Sequence, residues 1–264
     1  MESGLPIRLD EAGRLVYGPE VVIEEVKVRR FDELAPVALE PEACHGRLEP
    51  AYYMYNGVYR KADAGRLAGL GLRYELTLMP PLQMGRECVK TLGHRHCAEP
   101  RSGIDYAEVC EVLTGVAHFL FQTLDPAGPD AWLAFYIEAR AGDKVIIPPG
   151  LDHCTINPGP EPLLFSDVIA VGVNGIYDRF KAARGAAYLE VVQGAQTCFI
   201  PNPAYRTVPH LQKVSPGEYP HLRLTREEPL YTVFLEERGA RWPFLADPSQ
   251  FWAYFPDLAA WLQA

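Results

Sequence analysis

The chain has 264 residues, of which 48% are hydrophobic and 22% are charged, and its formal net charge is -9. An acidic surface repels phosphates, so we expect no nucleic-acid partner. No segment approaches the ~20 consecutive apolar residues that cross a bilayer, so we expect no membrane association. The first residues lack the basic and apolar regions of a signal peptide. Six scattered cysteines form no C-x-x-C pair, which favours reduced thiols and a cytoplasmic location.

Short β-prone runs separated by Pro and Gly predict a chain built mainly of strands. In the N-terminal part, runs begin at Val21 and Ala51, and Phe31–Leu34 can open a short helix. Further runs of roughly five to nine residues follow along the chain. They cover residues 73–79, 87–91, 109–113, 117–122, 131–138, 145–147 and 163–171. Many short strands between turn residues are typical of a sandwich or barrel.

The chain changes character after about Pro209, where frequent prolines divide it into short pieces. Aromatic and apolar residues near the C-terminus have helical spacing, and Pro256 is expected to start a second helical segment. We interpret this part as a packed appendage rather than an interaction surface. The sequence thus divides into an N-terminal segment that packs on the barrel, the barrel itself, and a C-terminal extension of mixed and helical character. These parts are residues 1–70, 71–205 and 206–264.

Two histidines, His94 and His96, are separated by one residue next to a β-prone run. In a strand, residues i and i+2 point to the same face, so the two imidazoles would project together. Two ligands positioned by one backbone segment suit a metal ion. Alone, an H-x-H pair is a weak signal, because most such pairs are surface or core histidines.

The strongest motif lies in residues 142–157, which fit the pattern G-x5-P-x-G-x2-H-x3-N at every fixed position. The histidine of this pattern is His153. The pattern resembles the second cupin motif, and the H-x-H pair fits the first. The resemblance implies an all-β fold, the cupin double-stranded β-helix or jelly-roll barrel, with His153 pointing into the barrel.

The first cupin motif also requires a glutamate, and both Glu108 and Glu111 are available. The motif has a glycine seven residues after the metal glutamate, and Gly115 has this spacing from Glu108. Glu111 has the opposite strand parity and should face away. Pro100 and Gly103 lie in the long interval after the H-x-H pair, as expected of a lengthened hairpin loop.

The resemblance therefore implies one divalent metal ion per chain, held by His94, His96, Glu108 and His153. Nitrogen and oxygen ligands of this kind suit Fe, Mn, Ni, Co or Zn rather than Ca. The alternative interpretation is a cupin barrel that has lost its metal.

A longer run, residues 76–96, narrows the family. It resembles the cupin-type glucose-6-phosphate isomerases of archaea and some bacteria, and the likeness spans roughly residues 15–205. In that family the residues that match Thr77, Thr91 and Gly93 hold the sugar phosphate, and a tyrosine that matches Tyr177 lines the sugar pocket. Hydroxyls and a bare backbone N–H are neutral donors to a phosphate dianion. The family also implies a homodimer.

Two positions depart from the family pattern. Cys110 stands where a tyrosine is usual, two residues after the metal glutamate. No histidine precedes Tyr177, because Asn174, Gly175 and Ile176 occupy that segment. Both family residues lie near the sugar, so these departures bear on the substrate more than on the fold or the metal.

The predicted activity is an aldose–ketose isomerisation of a sugar phosphate, glucose 6-phosphate to fructose 6-phosphate. Glu108 is the candidate catalytic carboxylate that carries the proton between C1 and C2. A metal-assisted hydride shift is the other route, and the sequence does not choose between them. Two other functions stay open, an Fe(II)-dependent cupin dioxygenase or oxidase and a non-enzymatic sugar-binding cupin.

Overall fold

The computed structural model describes residues 3–124 and 130–263, and strands dominate it. The strands are β1 (Ile7–Leu9), β2 (Leu15–Tyr17), β3 (Val21–Arg30), β4 (Pro50–Arg60), β5 (Leu72–Met79), β6 (Gln83–Met84), β7 (Glu87–Cys88), β8 (Arg95–His96), β9 (Glu108–Thr114), β10 (Val116–Leu124), β11 (Ala131–Arg140), β12 (Lys144–Ile147), β13 (Asp152–Ile156), β14 (Leu163–Ala170), β15 (Gly175–Ile176), β16 (Tyr188–Gln193), β17 (Gln196–Pro201) and β18 (Gln212–Val214). The helices are α1 (Phe31–Leu34), α2 (Ala64–Leu67), α3 (Asp178–Ala182), α4 (Leu230–Glu237), α5 (Pro243–Ala246), α6 (Phe251–Tyr254) and α7 (Pro256–Gln263).

Two sheets pack face to face around the largest part of the core. One has six strands in the order β12–β9–β14–β5–β4–β3, and the other has four in the order β13–β10–β11–β18. The core between them takes apolar side chains from both sheets. The rings of Phe119 and Phe165 meet edge to face across it, with centroids 5.7 Å apart. This arrangement of short, mostly antiparallel strands confirms the predicted all-β jelly-roll barrel.

The C-terminal extension covers the other face of the six-stranded sheet. A second core cluster joins side chains of β5, β9 and β14 to those of helices α4 to α6. Trp242, Phe234, Phe244 and Phe251 are each at most 1% exposed there. Fully burying one such side chain contributes about 1.5–3 kcal/mol to folding. The extension is therefore held on the barrel by a sizeable apolar interface, as expected of a packed appendage.

Main-chain pairing crosses both of the predicted boundaries between segments. Strand β4 pairs with β5, so the N-terminal strands extend the six-stranded sheet. Strand β18 pairs in parallel with β11, so the chain after residue 205 also joins the barrel. The division at residues 70 and 205 stays a prediction.

The helices are short. Among residues 3–124 and 130–263, none of them combines the length and the apolar character that a bilayer crossing requires.

Candidate metal centre and active-site cavity

Two histidines of the site, His94 and His153, lie directly opposite each other on neighbouring segments. The backbone N–H of His94 donates to the carbonyl of His153 at 3.0 Å, and the reverse bond is 2.9 Å. Side chains of such a pair project from the same face. The two ring centroids are accordingly 4.5 Å apart.

A bulge at Gly93 sets this pairing. The same segment is bridged to β13 twice, at Lys90 with Ile156 and at His94 with His153. The segment thus contains one residue more than β13 between the two bridges. Gly93 has φ +79°, which glycine adopts without strain. The predicted strand over residues 87–91 is regular only at Glu87–Cys88, and beyond it Lys90 and His94 pair with β13 as isolated bridges.

The third histidine, His96, completes a compact cluster. It lies in β8, which pairs with Gly175 of β15. Its ring centroid is 5.2 Å from that of His94 and 4.9 Å from that of His153. One ring nitrogen from each of the three side chains lies within 4.8 Å of the other two. Three imidazole nitrogens this close together can hold a metal ion.

Backbone carbonyls lie beside the Nδ1 atoms of two of these rings. Nδ1 of His96 lies 2.9 Å from the carbonyl of Tyr106, and Nδ1 of His153 lies 3.3 Å from the carbonyl of Leu151. A ring that donates from Nδ1 presents the lone pair of Nε2. Nε2 of His96 is buried, and Oε2 of Glu108 lies 3.1 Å from it, but among the described residues the nitrogen has no partner with regular hydrogen-bond geometry. A metal ion would satisfy this nitrogen, so the cluster fits a metal.

Desolvation also favours the unprotonated rings. It lowers the pKa of His94 to about 3, and the neighbouring His96 adds to the shift. Burial, followed by the charge interaction with His94, places the pKa of His153 well below its ordinary value. Neutral imidazole is the form that binds metals.

Glu108 stands beside the histidine cluster at the start of β9. Its Oε2 is 3.1 Å from Nε2 of His96, and the thiol of Cys110 donates to its Oε1 at 2.9 Å. Burial raises the pKa of Glu108, but the His96 ring and the Cys110 thiol outweigh burial, so the pKa lies below its ordinary value. Glu111 faces the opposite way, as its parity predicts. The role of Glu108 as a ligand stays a prediction.

The cluster opens into a cavity of about 310 Å³ between the two sheets. Three of the predicted substrate residues, Thr77, Thr91 and Tyr177, line this cavity together with His94, His153 and Glu108. Gly93 has a packing role. A Cβ at this position would lie 2.5 Å from the ring of Phe180. The structure thus brings the predicted threonines and histidines to one cavity.

Five charged residues of the cavity wall were not predicted from the sequence. Lys27 and Arg29 lie on β3, Arg73 and Glu75 on β5 and Asp167 on β14. The two basic residues of β3 alternate with valines, so a signal for one polar face of that strand was present in the sequence. Asp167 interrupts an otherwise mostly apolar run, and this was the corresponding signal in β14.

A family model described as glucose-6-phosphate isomerase (GPI) matches residues 28–205. A glucose-6-phosphate isomerase of Thermococcus litoralis is 29% identical over 190 residues, which are 70% of this chain and 91% of that protein. One from Thermococcus kodakarensis is 27% identical over 211 residues, which are 78% of this chain and 100% of that protein. The likeness therefore extends over most of each relative.

Similarity to solved structures is weaker. A 7S globulin of Momordica charantia is 14% identical, covers 58% of this chain and 34% of its own, and has a TM-score of 0.35. An oxalate oxidase in complex with a substrate analogue, glycolate, is 17% identical, covers 47% and 51%, and has a TM-score of 0.33. Scores this low carry no weight in the assignment, which rests on the family match and on the sheet topology.

Proposed function

Because the chain belongs to the glucose-6-phosphate isomerase (GPI) family, we propose that it interconverts glucose 6-phosphate and fructose 6-phosphate. The observation that carries this proposal is the shared cavity. Thr77 and Thr91, the expected phosphate contacts, line it together with His94 and His153. A sugar phosphate needs both kinds of group at one site, since one end carries the phosphate and the other end reacts.

We assign one divalent metal ion, Fe, Mn, Ni or Zn, to His94, His96, His153 and Glu108. The close ring nitrogens, together with the carboxylate of Glu108 at 3.1 Å from Nε2 of His96, support this assignment. When bound, such an ion supplies a Lewis acid for the charge that develops on a sugar oxygen.

The phosphate end is assigned to the threonines and to the basic side chains of β3. The backbone N–H of Thr155 donates to Oγ1 of Thr91 at 3.0 Å, which leaves the hydroxyl proton of Thr91 to donate to a phosphate oxygen. Lys27 and Arg29 add positive charge to the same wall. Charge-assisted bonds to a phosphate are stronger than neutral ones. Tyr177 lies beside His94, with ring centroids 5.5 Å apart, and would border the sugar.

Glu108 is the group that we assign to proton transfer between C2 and C1. It is 7% exposed and lines the cavity, so a proton that it takes is shielded from bulk water. The hydride-shift route needs no such base. The two routes differ in whether solvent deuterium enters the product.

The family match favours an isomerase over the other two functions that the sequence left open. A dioxygenase does not require hydroxyl donors and cations for a phosphate. No observation in the cavity favours either alternative.

Turnover with defined metals tests the proposal. Protein loaded separately with Fe(II), Mn(II), Ni(II) or Zn(II) is given fructose 6-phosphate, and a coupled dehydrogenase reports glucose 6-phosphate. We expect turnover that disappears after EDTA treatment. His153→Ala should lower kcat/KM at least about 100-fold, because it removes a ligand outright.

His210→Ala is the matched control, since this exposed histidine lies outside the cavity. It should leave turnover unchanged. If all four loaded forms bind their metal but none of them converts fructose 6-phosphate, the isomerase proposal is refuted and the proposed metal site is retained. A homodimer and a cytoplasmic location also stay proposals, and light scattering of the loaded protein tests the first.

A further inference from the structure

A buried carboxyl oxygen without a hydrogen-bond partner lies in the cavity wall, among the residues that the structure describes. Asp167 sits in β14, every residue of which is buried, and is itself 6% exposed. Its side chain lines the cavity rather than the apolar interface with the C-terminal helices. Within residues 3–124 and 130–263, its Oδ2 is buried and has no hydrogen-bond partner. Such groups are rare in folded proteins, and each requires an explanation.

The strand register locates Asp167 within the site. It is paired with Cys110 of β9 on one side and with Glu75 of β5 on the other. Paired residues of neighbouring strands point to the same face, so the three side chains form a row, and Glu75 and Asp167 of this row line the cavity. Cys110 donates to Glu108, and Glu75 lies in an ion pair with Arg73 at 2.5 Å although its Oε1 lacks regular hydrogen-bond geometry. Both neighbours of Asp167 are thus directed to other residues.

This row lies between the two functional ends of the cavity. Glu108, a proposed metal ligand, is two residues before Cys110 on β9, and Thr77, a proposed phosphate contact, is two residues after Glu75 on β5. Residues i and i+2 share a face, so the order along the floor is Glu108, then the row of Asp167, then Thr77. A substrate that spans from the metal ligands to the threonine passes over Asp167.

We propose that Asp167 binds a hydroxyl of the open-chain sugar phosphate, on C3 or C4, and so helps to select the substrate. This inference rests on the proposed function, because it takes the reacting carbons to lie at the metal ligands and the phosphate to lie at Thr77. A buried carboxyl oxygen that has no hydrogen-bond partner in the protein is satisfied by a hydrogen bond with a sugar hydroxyl. An apolar residue would serve the strand better if packing were its only role.

Substitution by an apolar residue of similar size separates binding from folding. In metal-loaded Asp167→Leu, we expect the Kd for fructose 6-phosphate, measured by titration calorimetry, to rise about 10- to 100-fold. Metal content should be unchanged. The midpoint of thermal unfolding should be unchanged or higher, because an unpartnered buried carboxyl is removed. A structural role predicts the opposite, a lower midpoint.

Deoxy analogues identify the hydroxyl. In the wild type, either 3-deoxy- or 4-deoxy-fructose 6-phosphate should bind about 10- to 100-fold more weakly than the parent sugar phosphate. In Asp167→Leu the same analogue should bind as well as the parent. Equal losses in the wild type and the variant, for both analogues, would overturn the inference.

Ser166→Ala is the matched control. Ser166 adjoins Asp167 on the same strand but is paired with Glu111, on the face away from the cavity. The Kd of Ser166→Ala for fructose 6-phosphate should match that of the wild type. A rise equal to that of Asp167→Leu would overturn the inference. Wild-type protein that binds fructose 6-phosphate without turnover would end the isomerase proposal but not this inference, whereas the absence of binding to the loaded wild type would end both.

Discussion

Each face of the six-stranded sheet carries a buried glutamate of β9, and the two glutamates have different partners. Glu108 and Glu111 both lie on β9. The inward Glu108 contacts a histidine ring and a thiol in a polar cavity. The outward Glu111 accepts from Nζ of Lys144 at 2.7 Å and from the backbone N–H of Leu230 at 2.8 Å. The outward carboxylate thus ties the sheet to helix α4.

The partners of a buried carboxylate, rather than its residue type, therefore decide whether it stabilises the fold or lies free in the cavity. On the outer face the charged groups are buried and paired, and large apolar side chains surround them. On the inner face Oδ2 of Asp167 is buried without a hydrogen-bond partner among the described residues. The hydroxyls of Tyr74 and Ser166 on the outer face are also buried without one, so the contrast between the faces lies in their carboxylates. Buried polar groups without hydrogen-bond partners lower the stability of the fold, and a bound ligand can supply the missing partner. The apolar packing on the outer face therefore offsets the loss of folding free energy at the unsatisfied polar groups of the inner face.

Removal of the outer carboxylate should have the largest effect on folding. Glu111→Ala leaves Lys144 buried without its charged partner, and we expect a loss of about 3–5 kcal/mol in the free energy of unfolding, measured in urea. Turnover per folded molecule should be retained. The double variant Glu111→Leu/Lys144→Met is the control, and it should recover most of the lost stability. If Glu111→Ala is as stable as the wild type, Glu111 does not stabilise the fold and the proposed difference between the two faces is wrong.

The inner carboxylate should show the reverse pattern. Glu108→Gln keeps the shape of the side chain but removes its charge, and we expect kcat to fall about 10²- to 10⁴-fold. The free energy of unfolding of the metal-free protein should change by less than about 1 kcal/mol, because no buried cation depends on Glu108 as Lys144 does on Glu111. Coupled assay and urea unfolding of the same preparation measure both. Retained turnover would exclude Glu108 as the proton carrier.

A smaller effect is expected at the bulge before the first histidine. Gly93→Ala puts a Cβ against Phe180 and also requires a left-handed backbone from a residue with a side chain. We expect a loss of about 2–4 kcal/mol in stability, together with weaker metal binding.

Gly103→Ala separates the two causes of that loss. Gly103 also has a positive φ, +69°, but a Cβ there meets nothing within 4 Å. It should cost only about 1–2 kcal/mol and leave metal affinity unchanged. Equal losses at the two glycines would show that the contact with Phe180 plays no part.

Local spacing carried most of what the sequence could predict. The H-x-H pair and the pattern that ends in His153 and Asn157 have fixed spacings, and strand parity separates Glu108 from Glu111. These are short-range properties of a strand, so they can be deduced without knowing which strands are neighbours. The all-β fold, the family and the histidine cluster followed from them.

Strand order is what the sequence did not supply. Lys27, Glu75 and Asp167 share a cavity because β3, β5 and β14 belong to one sheet, and their separations along the chain do not reveal this. Gly93 was assigned to phosphate binding from the family pattern, and that role stays a prediction. Its contact with Phe180 of α3 is long-range and could not be foreseen.

The position of the C-terminal helices has a consequence for synthesis of the chain on the ribosome. Strands β5, β9 and β14 are complete well before α4 to α6, which cover their outer face, have been made. At about 5–20 residues per second, that apolar face is exposed for seconds in the nascent protein. A pause in translation before residue 230 would prolong this exposure and, with it, the interval in which the apolar face can aggregate.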